Sequence, residues 1–344
     1  MTDVEVFLDE TPGETRGVVV RDGRFEHLLI DRDDDAPERR LGARVAARVA
    51  EVRPDLKGAF VDLGGALPGF LPFRGAVRVG EGDRIEVEVS AEPRERKGPT
   101  LRLVGPAEGS PRLLRAGPAL RETLAALAPG VEPVSGAAAI RAAMEAEEAA
   151  ACPGALFADT GLDLMVERTR AVIAVDLDLS PTAGVAAGGK ARERANRQGL
   201  VEAARLLRLK RWGGLVVVDL VGAGHDGAAV LSAARRAFGD DSAVSYGPVS
   251  RFGLLQLSLP WRRTPIEEVL NGPDGRRRPT HRAQDVVRAL QLALLTDTTA
   301  PRWRARCAPD EALLAGPLVG RLGPRAELRS DPAIAPGAFL IEEG

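Results

Sequence analysis

AVIAVDLDLS at residues 171–180 and GGLVVVDLV at residues 213–221 decide how the second half of this chain folds. Each is an apolar run of strand length that carries aspartate near its end. Short apolar runs flanked by turn residues read as strands, and the uninterrupted GLVVVDLV reads as a buried one. Between them, residues 190–211 show helical periodicity, so strand, helix and strand follow in order. LDLMVER (162–168) adds a strand upstream, and a helix at 227–238 with the strands SAVSYG and FGLLQLSL follows downstream. The expectation is a mixed α/β layer with helices packed on a sheet.

Further outward the pattern changes. VEVFL, TRGVVV and FEHLLI within residues 3–30 read as strands, with Asp22-Gly23 as a tight hairpin turn. The acidic stretch 31–38 reads as a solvated linker. From Gly42 to Val104 five short strands follow one another across glycine-rich turns. That pattern predicts a small closed barrel, for which the OB-fold is the commonest form at this size. Residues 108–150 read as helical, 271–282 as a polar arginine-bearing linker, and 283–295 as a helix leading into a small α+β tail. The fold class is therefore α+β multidomain.

The chain has 344 residues, 44% of them hydrophobic and 28% charged, which suits a folded protein of two or three domains. No apolar run reaches the length of a membrane span. The acidic start MTDVEVFLDE lacks the features of a secretory signal, so a cytoplasmic location is expected. The net charge of −2 excludes a general polycation, and nucleic-acid contacts must show themselves in local patches. Only four of the 47 basic residues are lysine, a bias that GC-rich coding explains and that phosphate binding by Arg would also exploit.

Asp176 and Asp178 stand two apart on one strand, so period-two geometry points both carboxylates to one face. Asp219 ends the second strand, and a bare Asp in a buried strand is costly. Three carboxylates at neighbouring strand ends would suit Mg²⁺ or Mn²⁺; alternatively, Asp176 or Asp219 caps a helix or pairs with an Arg. Gly222, Gly224 and Gly227 form a GxGxxG run, weak in a chain with 38 glycines. The acidic residues Asp240 and Asp241 precede a strand instead of closing one, so the run reads as a turn and not a dinucleotide fingerprint. Phe60 and Phe70 are candidates for base stacking or for core, and Lys97 for a phosphate contact or for solvent. Arg205, Arg208 and Arg211 recur at helical spacing, either as a phosphate-binding stripe near Asp219 or as partners of the helix dipole. His27, His225 and His281 are scattered, and Cys152 and Cys307 have no CxxC partner, so neither a histidine-based metal site nor zinc is expected.

KGAFVDLG (57–64) with PGFLP (68–72), RKGPTL (96–101), LMVERTRAVIAVDLDLS (164–180), LLRLKRWGGLVVVDLV (206–221) and SRFGLLQLS (250–258) resemble, in order, the landmarks of the ribonuclease E/G family. The resemblance implies an RNase H-like portion at 1–38 and 106–150, interrupted by an OB-fold RNA-binding domain at 39–105. It further implies a deoxyribonuclease-I-like catalytic domain at 151–268, a linker at 269–282 and a small C-terminal domain at 283–344. The implied activity is Mg²⁺-dependent endonucleolytic cleavage of single-stranded RNA to 5′-phosphate products, in RNA processing or decay. Asp176 and Asp219 match the metal-ligating aspartates, while Asp178 stands where the family has an asparagine. Phe60, Phe70 and Lys97 match RNA contacts of the barrel. Three departures set this chain apart. Residues 259–282 contain no cysteine, so a monomer or a zinc-independent homodimer is expected. The segment between barrel and catalytic domain is too short for a 5′-monophosphate sensor. Gly222 replaces a second acidic residue. A catalytically inactive RNA-binding protein of the same family is the alternative.

Overall fold

Alternating apolar residues at the start of the chain make Val4–Thr11 (β1), Glu14–Arg21 (β2) and Arg24–Arg32 (β3) an antiparallel meander. Asp22 and Gly23 take φ of 47° and 71°, the left-handed pair that a two-residue hairpin turn requires. Val6, Leu8, Val19 and Leu29 line one face, against Leu120 and Leu124 of α1 (Leu120–Leu127). The computed structural model describes residues 3–75, 78–180, 188–239 and 242–344. It divides into two units, Met1–Glu147 with Arg263–Gly344, and Glu148–Arg262.

In the first unit, β4 (Arg44–Arg53), β5 (Gly58–Asp62), β6 (Gly69–Pro72), β7 (Arg84–Ala91) and β8 (Thr100–Pro106) form a closed barrel. Its strands pair β4–β5–β6–β8–β7 and back to β4, antiparallel except for the single parallel contact of β6 with β8. Closure leaves no free edge among these five strands. Val45, Val49, Ala59, Val61, Val87 and Leu101 fill the interior. Residues 108–150, expected to be helical, also hold a strand, β9 (Arg112–Arg115), which pairs with β4. α2 (Ala137–Ala151) follows. The unit is completed by α5 (Ile266–Leu270), α6 (Pro279–Thr296), β16 (Trp303–Cys307), α7 (Pro309–Val319), β17 (Ala326–Ser330) and β18 (Phe339–Glu343). α6 starts four residues before the expected boundary at 283, because Pro279 opens its first turn, where a missing N–H costs nothing.

The second unit is one six-stranded sheet, built from β10 (Gly154–Phe157), β11 (Leu162–Arg168), β12 (Ile173–Leu179), β13 (Gly214–Asp219), β14 (Ser245–Tyr246) and β15 (Leu254–Leu259). The order is β10-β11-β12-β13-β15-β14, and among the neighbouring pairs only β12 with β13 is parallel. α3 (Gly189–Lys210) makes the crossover between them, and α4 (Gly227–Phe238) follows β13. Val175, Leu177, Val216, Val218, Leu255 and Leu257 form the core with Leu200, Ala203 and Leu207 of α3 and Ala234 of α4. The other face of the sheet is open. This corrects the reading of GLVVVDLV as fully buried: Val216 and Val218 are 0% exposed, yet Leu215 is 46% exposed. The run is apolar on both faces, so its composition hides the alternation that the structure shows. Asp240 and Asp241 lie outside the described residues. No helix among the described residues is long and apolar enough to cross a membrane.

Candidate functional site

Parallel pairing of β12 with β13 sets Asp176 opposite Asp219, on strands spaced roughly 4.8 Å apart. On the other side of β12, Asp178 stands opposite Asp163 of β11. All four side chains are exposed, on the open face of the sheet. Among the described residues no cation pairs with Asp176 or Asp219 and no donor reaches either carboxylate; Asp178 accepts from the Leu179 N–H at 2.7 Å. Burial, then the negative charges of Asp219, Asp178 and Asp163, push the Asp176 carboxyl above its ordinary range. Unrelieved repulsion among oxygen ligands is what a hard divalent cation would remove, so the residues present fit Mg²⁺ or Mn²⁺. The expectation that these aspartates are buried is not met. Exposure makes them cheap to retain, and the argument from a costly buried carboxylate lapses. Asp163 escapes sequence reading because only the register of β11 on β12 brings it to this strip.

The chain leaving β13 is pinned from α3. Asn196, 6% exposed, donates to the Val221 carbonyl at 3.2 Å and accepts from the Val221 N–H at 2.8 Å. Its signal in the sequence was an amide among the small and apolar residues Ala195, Gly199, Leu200 and Ala203 on the buried side of α3. Gly222 follows at φ 83°, and a Cβ there would meet Arg192 Cδ at 2.8 Å. Arg192 thus lies over Gly222. A cavity of about 490 Å³ opens at this end, lined by Arg192, Arg197, Arg236, His225, Leu200 and Val221 among others. The glycine run is indeed a turn. Asp226 caps α4 by accepting from the N–H groups of Ala228 and Ala229, at the helix end where a fingerprint would seat a pyrophosphate. The helix is followed by β14, which pairs with β15 and not with β13, so the strand next to β13 on this side is the antiparallel β15.

Arg205, Arg208 and Arg211 do not stand beside Asp219. As the crossover between parallel strands, α3 runs back along the sheet, so its last turn lies near the start of β13. Asp219 ends that strand, roughly 17 Å away at 3.3 Å per residue. Arg205 pairs with Glu202 at 2.8 Å, Arg208 donates to the Ala237 carbonyl at 3.0 Å, and Arg211 caps α3 in the left-handed conformation.

In the barrel, Phe60 on β5 and Phe70 on β6 are register partners whose rings meet edge to face at 5.6 Å. Both are half-buried and lie outside the interior cluster of Ala59, Val61 and Leu71, so neither is a core residue. Gly58 leaves room for the Phe70 ring, since a Cβ there would stand 2.3 Å from its Cζ. Lys97 sits in the β7–β8 connection, largely exposed, with its ammonium 3.1 Å from Glu95.

The histidines are less scattered than the sequence suggests. His281, 0% exposed, lies with Glu147 and Asp285 in a group of metal-ligand spacing. These carboxylates already have partners, however. Arg16 holds Glu147 at 2.7 Å, and Arg277 donates to both Glu147 and Asp285. Glu14 is held by Arg16, Arg32 and Arg288, and Asp9 by Arg288. Four carboxylates face four guanidiniums, and a divalent cation would add uncompensated charge to a buried site. Arg32 donates to His281 Nδ1 at 2.9 Å, which assigns the ring proton to Nε2. We read the group as a buried ion network.

Among curated proteins, none matches the chain. The Ribonuclease E/G family model matches residues 130–260. That span holds all four open-face aspartates and the Asn196 pin, and across it the chain is similar to the Ribonuclease E/G family.

Proposed function

We propose that this protein is a metal-dependent endoribonuclease that cleaves single-stranded RNA and leaves 5′-phosphate ends. The observation that carries this reading is the strip of aspartates with no counter-ion among the described residues, inside the segment that matches the family. Asp176 and Asp219 would hold Mg²⁺, with Mn²⁺ as a substitute, and Asp178 would stand beside them. When bound, the cation supplies charge neutralisation on the phosphodiester and activation of water. The chain's own residues bind and orient the strand. Barrel connectivity supports an OB-fold, whose second and third strands and last connection commonly take oligonucleotides; Phe60, Phe70 and Lys97 occupy those places. Phe60 and Phe70 would stack on unpaired bases while Lys97 neutralises a backbone phosphate. Arg192, Arg197 and Arg236 give the Asp219 end of the second unit a cationic surround that suits the same backbone. Arg205, Arg208 and Arg211 are left out of this RNA-binding set because their contacts fasten the end of α3. Within the same reading, the second unit is the deoxyribonuclease-I-like catalytic portion and the β1–β3 layer the RNase H-like one.

A second reading, an RNA-binding protein without catalysis, draws on one observation. Arg192 lies over Gly222, where the family carries an acid. The test is an end-labelled, A/U-rich single-stranded RNA incubated with Mg²⁺ or with EDTA, carrying a 5′-monophosphate or a 5′-hydroxyl. Internal cuts that need the metal and ignore the 5′ end are expected. Binding without cuts under every condition selects the second reading.

A further inference from the structure

Phe252 is the only one of the nine phenylalanines that is exposed, at 72%. Its ring does not rest on the core. The Arg251 guanidinium lies 4.8 Å from the ring centroid instead. Nor is the ring on a loose tip. Residues 250–253 form a tight turn in which the Gly253 N–H donates to the Ser250 carbonyl, and the Ser250 N–H to the Leu254 carbonyl. Ser250 Oγ accepts from the N–H groups of Phe252 and Leu254. A Cβ at Gly253 would stand 3.6 Å from both the Gly222 carbonyl and His225 Nε2, and His225 Nε2 is 3.0 Å from that same carbonyl. The turn is thereby fixed beside the end of β13. Leu254, two residues after Phe252, is the register partner of Asp219. A solvent-facing aromatic is held rigid at the sheet edge where the aspartates converge.

An isolated exposed apolar residue on a protein surface needs no explanation. This one differs in having a flat π-face, a built support and a cation on the ring. We infer that Arg251 and Phe252 form a stacking platform for one unpaired nucleobase of the RNA strand, next to the scissile phosphodiester. The inference rests on the proposed RNA-cleaving function and deepens it. Ring–base stacking is indifferent to base identity, because every base presents a π-face. The guanidinium reinforces it, either over the ring or by turning to the adjacent phosphate. Phe252 is a binding residue of this site and takes no part in proton transfer or metal binding. It would place the strand across Asp176 and Asp219, as Phe60 and Phe70 would hold bases at the barrel.

The test is affinity, measured in EDTA so that cleavage plays no part. The probe is a fluorescein-labelled ten-nucleotide oligoadenylate, intact or with a single abasic position moved along it. Phe252→Ala should weaken binding about 5- to 100-fold, Phe252→Tyr should bind like the wild type, and Arg251→Ala should fall between them. At one position the abasic substitution should cost the wild type a similar factor and cost Phe252→Ala nothing further. In Mg²⁺, Phe252→Ala should raise KM and leave kcat within about threefold. Equal affinity of wild type and Phe252→Ala, with the same response to every abasic position, overturns the platform alone. A wild type that binds the oligonucleotide and never cuts it removes the proposed catalysis and leaves the platform standing. A wild type that binds no RNA overturns both.

Discussion

Two groups of carboxylates in this chain are treated in opposite ways. In the first unit, Asp9, Glu14, Glu147 and Asp285 are met by Arg16, Arg32, Arg277 and Arg288. In the second, Asp163, Asp176, Asp178 and Asp219 share one strip of a sheet, and among the described residues none of these aspartates forms an ion pair with a cation within the strip. The network is buried and every charge in it is answered, so removing one member leaves a charge stranded in low dielectric. The strip is exposed and its charges repel, so removing one member relieves strain. Neutralisation within the fold marks a structural device; its absence marks a place reserved for something from solution.

The largest effect that would break this contrast lies in the strip. Asp219→Asn should reduce RNA cleavage on the order of 10³-fold, since several kcal/mol of charge stabilisation are lost with the metal. Its melting temperature should stay level or rise slightly, because a repelling charge is gone. A variant that cuts at the wild-type rate removes the metal assignment. A variant that unfolds would show that the strip is structural after all.

In the network the signs reverse. Arg288→Ala leaves Asp9 without its buried cation and takes one of three from Glu14, and should cost about 3–5 kcal/mol of stability, read from urea denaturation. Cleavage per folded molecule should be unchanged. The pH dependence follows from the same groups. Burial pushes the Glu14 carboxyl up, and the Arg16, Arg288 and Arg32 guanidiniums more than offset it, leaving it well below the usual range. Burial likewise acts first on Glu147, and the His281 and Arg16 contacts drive that carboxyl far down. A depressed carboxylate contributes stability that is complete above its unfolded pKa of about 4.3 and is lost as pH falls toward the folded value. The urea midpoint should therefore hold from pH 7 to about 5 and fall below that. A midpoint that stays flat to pH 3 would mean that these ion pairs are energetically idle.

What could be read from the sequence divides along the same line. The Asp22-Gly23 hairpin, the five barrel strands and the shared face of Asp176 and Asp178 rest on local patterns, and each is present in the structure. Exposure of the aspartates was not legible, because GLVVVD is apolar on the open face too. Helical spacing shows which of Arg205, Arg208 and Arg211 share a side, but the direction of the crossover decides which end of the sheet they reach. The network was invisible for a simpler reason: Glu14, Glu147 and His281 lie more than 130 residues apart in sequence, and only tertiary packing joins them.

Each unit also carries its own reporter cysteine, and the smallest expected effect uses the pair to localise the damage. Cys152 in the second unit is exposed, while Cys307 in the first is buried. Burial, then the charge of Glu311, pushes the Cys307 thiol up to about 11. Thiolate is the reactive form, so at pH 8 a maleimide should label Cys152 within minutes and Cys307 only when the first unit opens. Arg288→Ala should speed labelling of Cys307 and leave Cys152 at the wild-type rate, as followed by peptide mass spectrometry. Asp219→Asn should change neither. If Arg288→Ala accelerates both cysteines equally, the two units open together, and the network stabilises the whole chain and not its own unit.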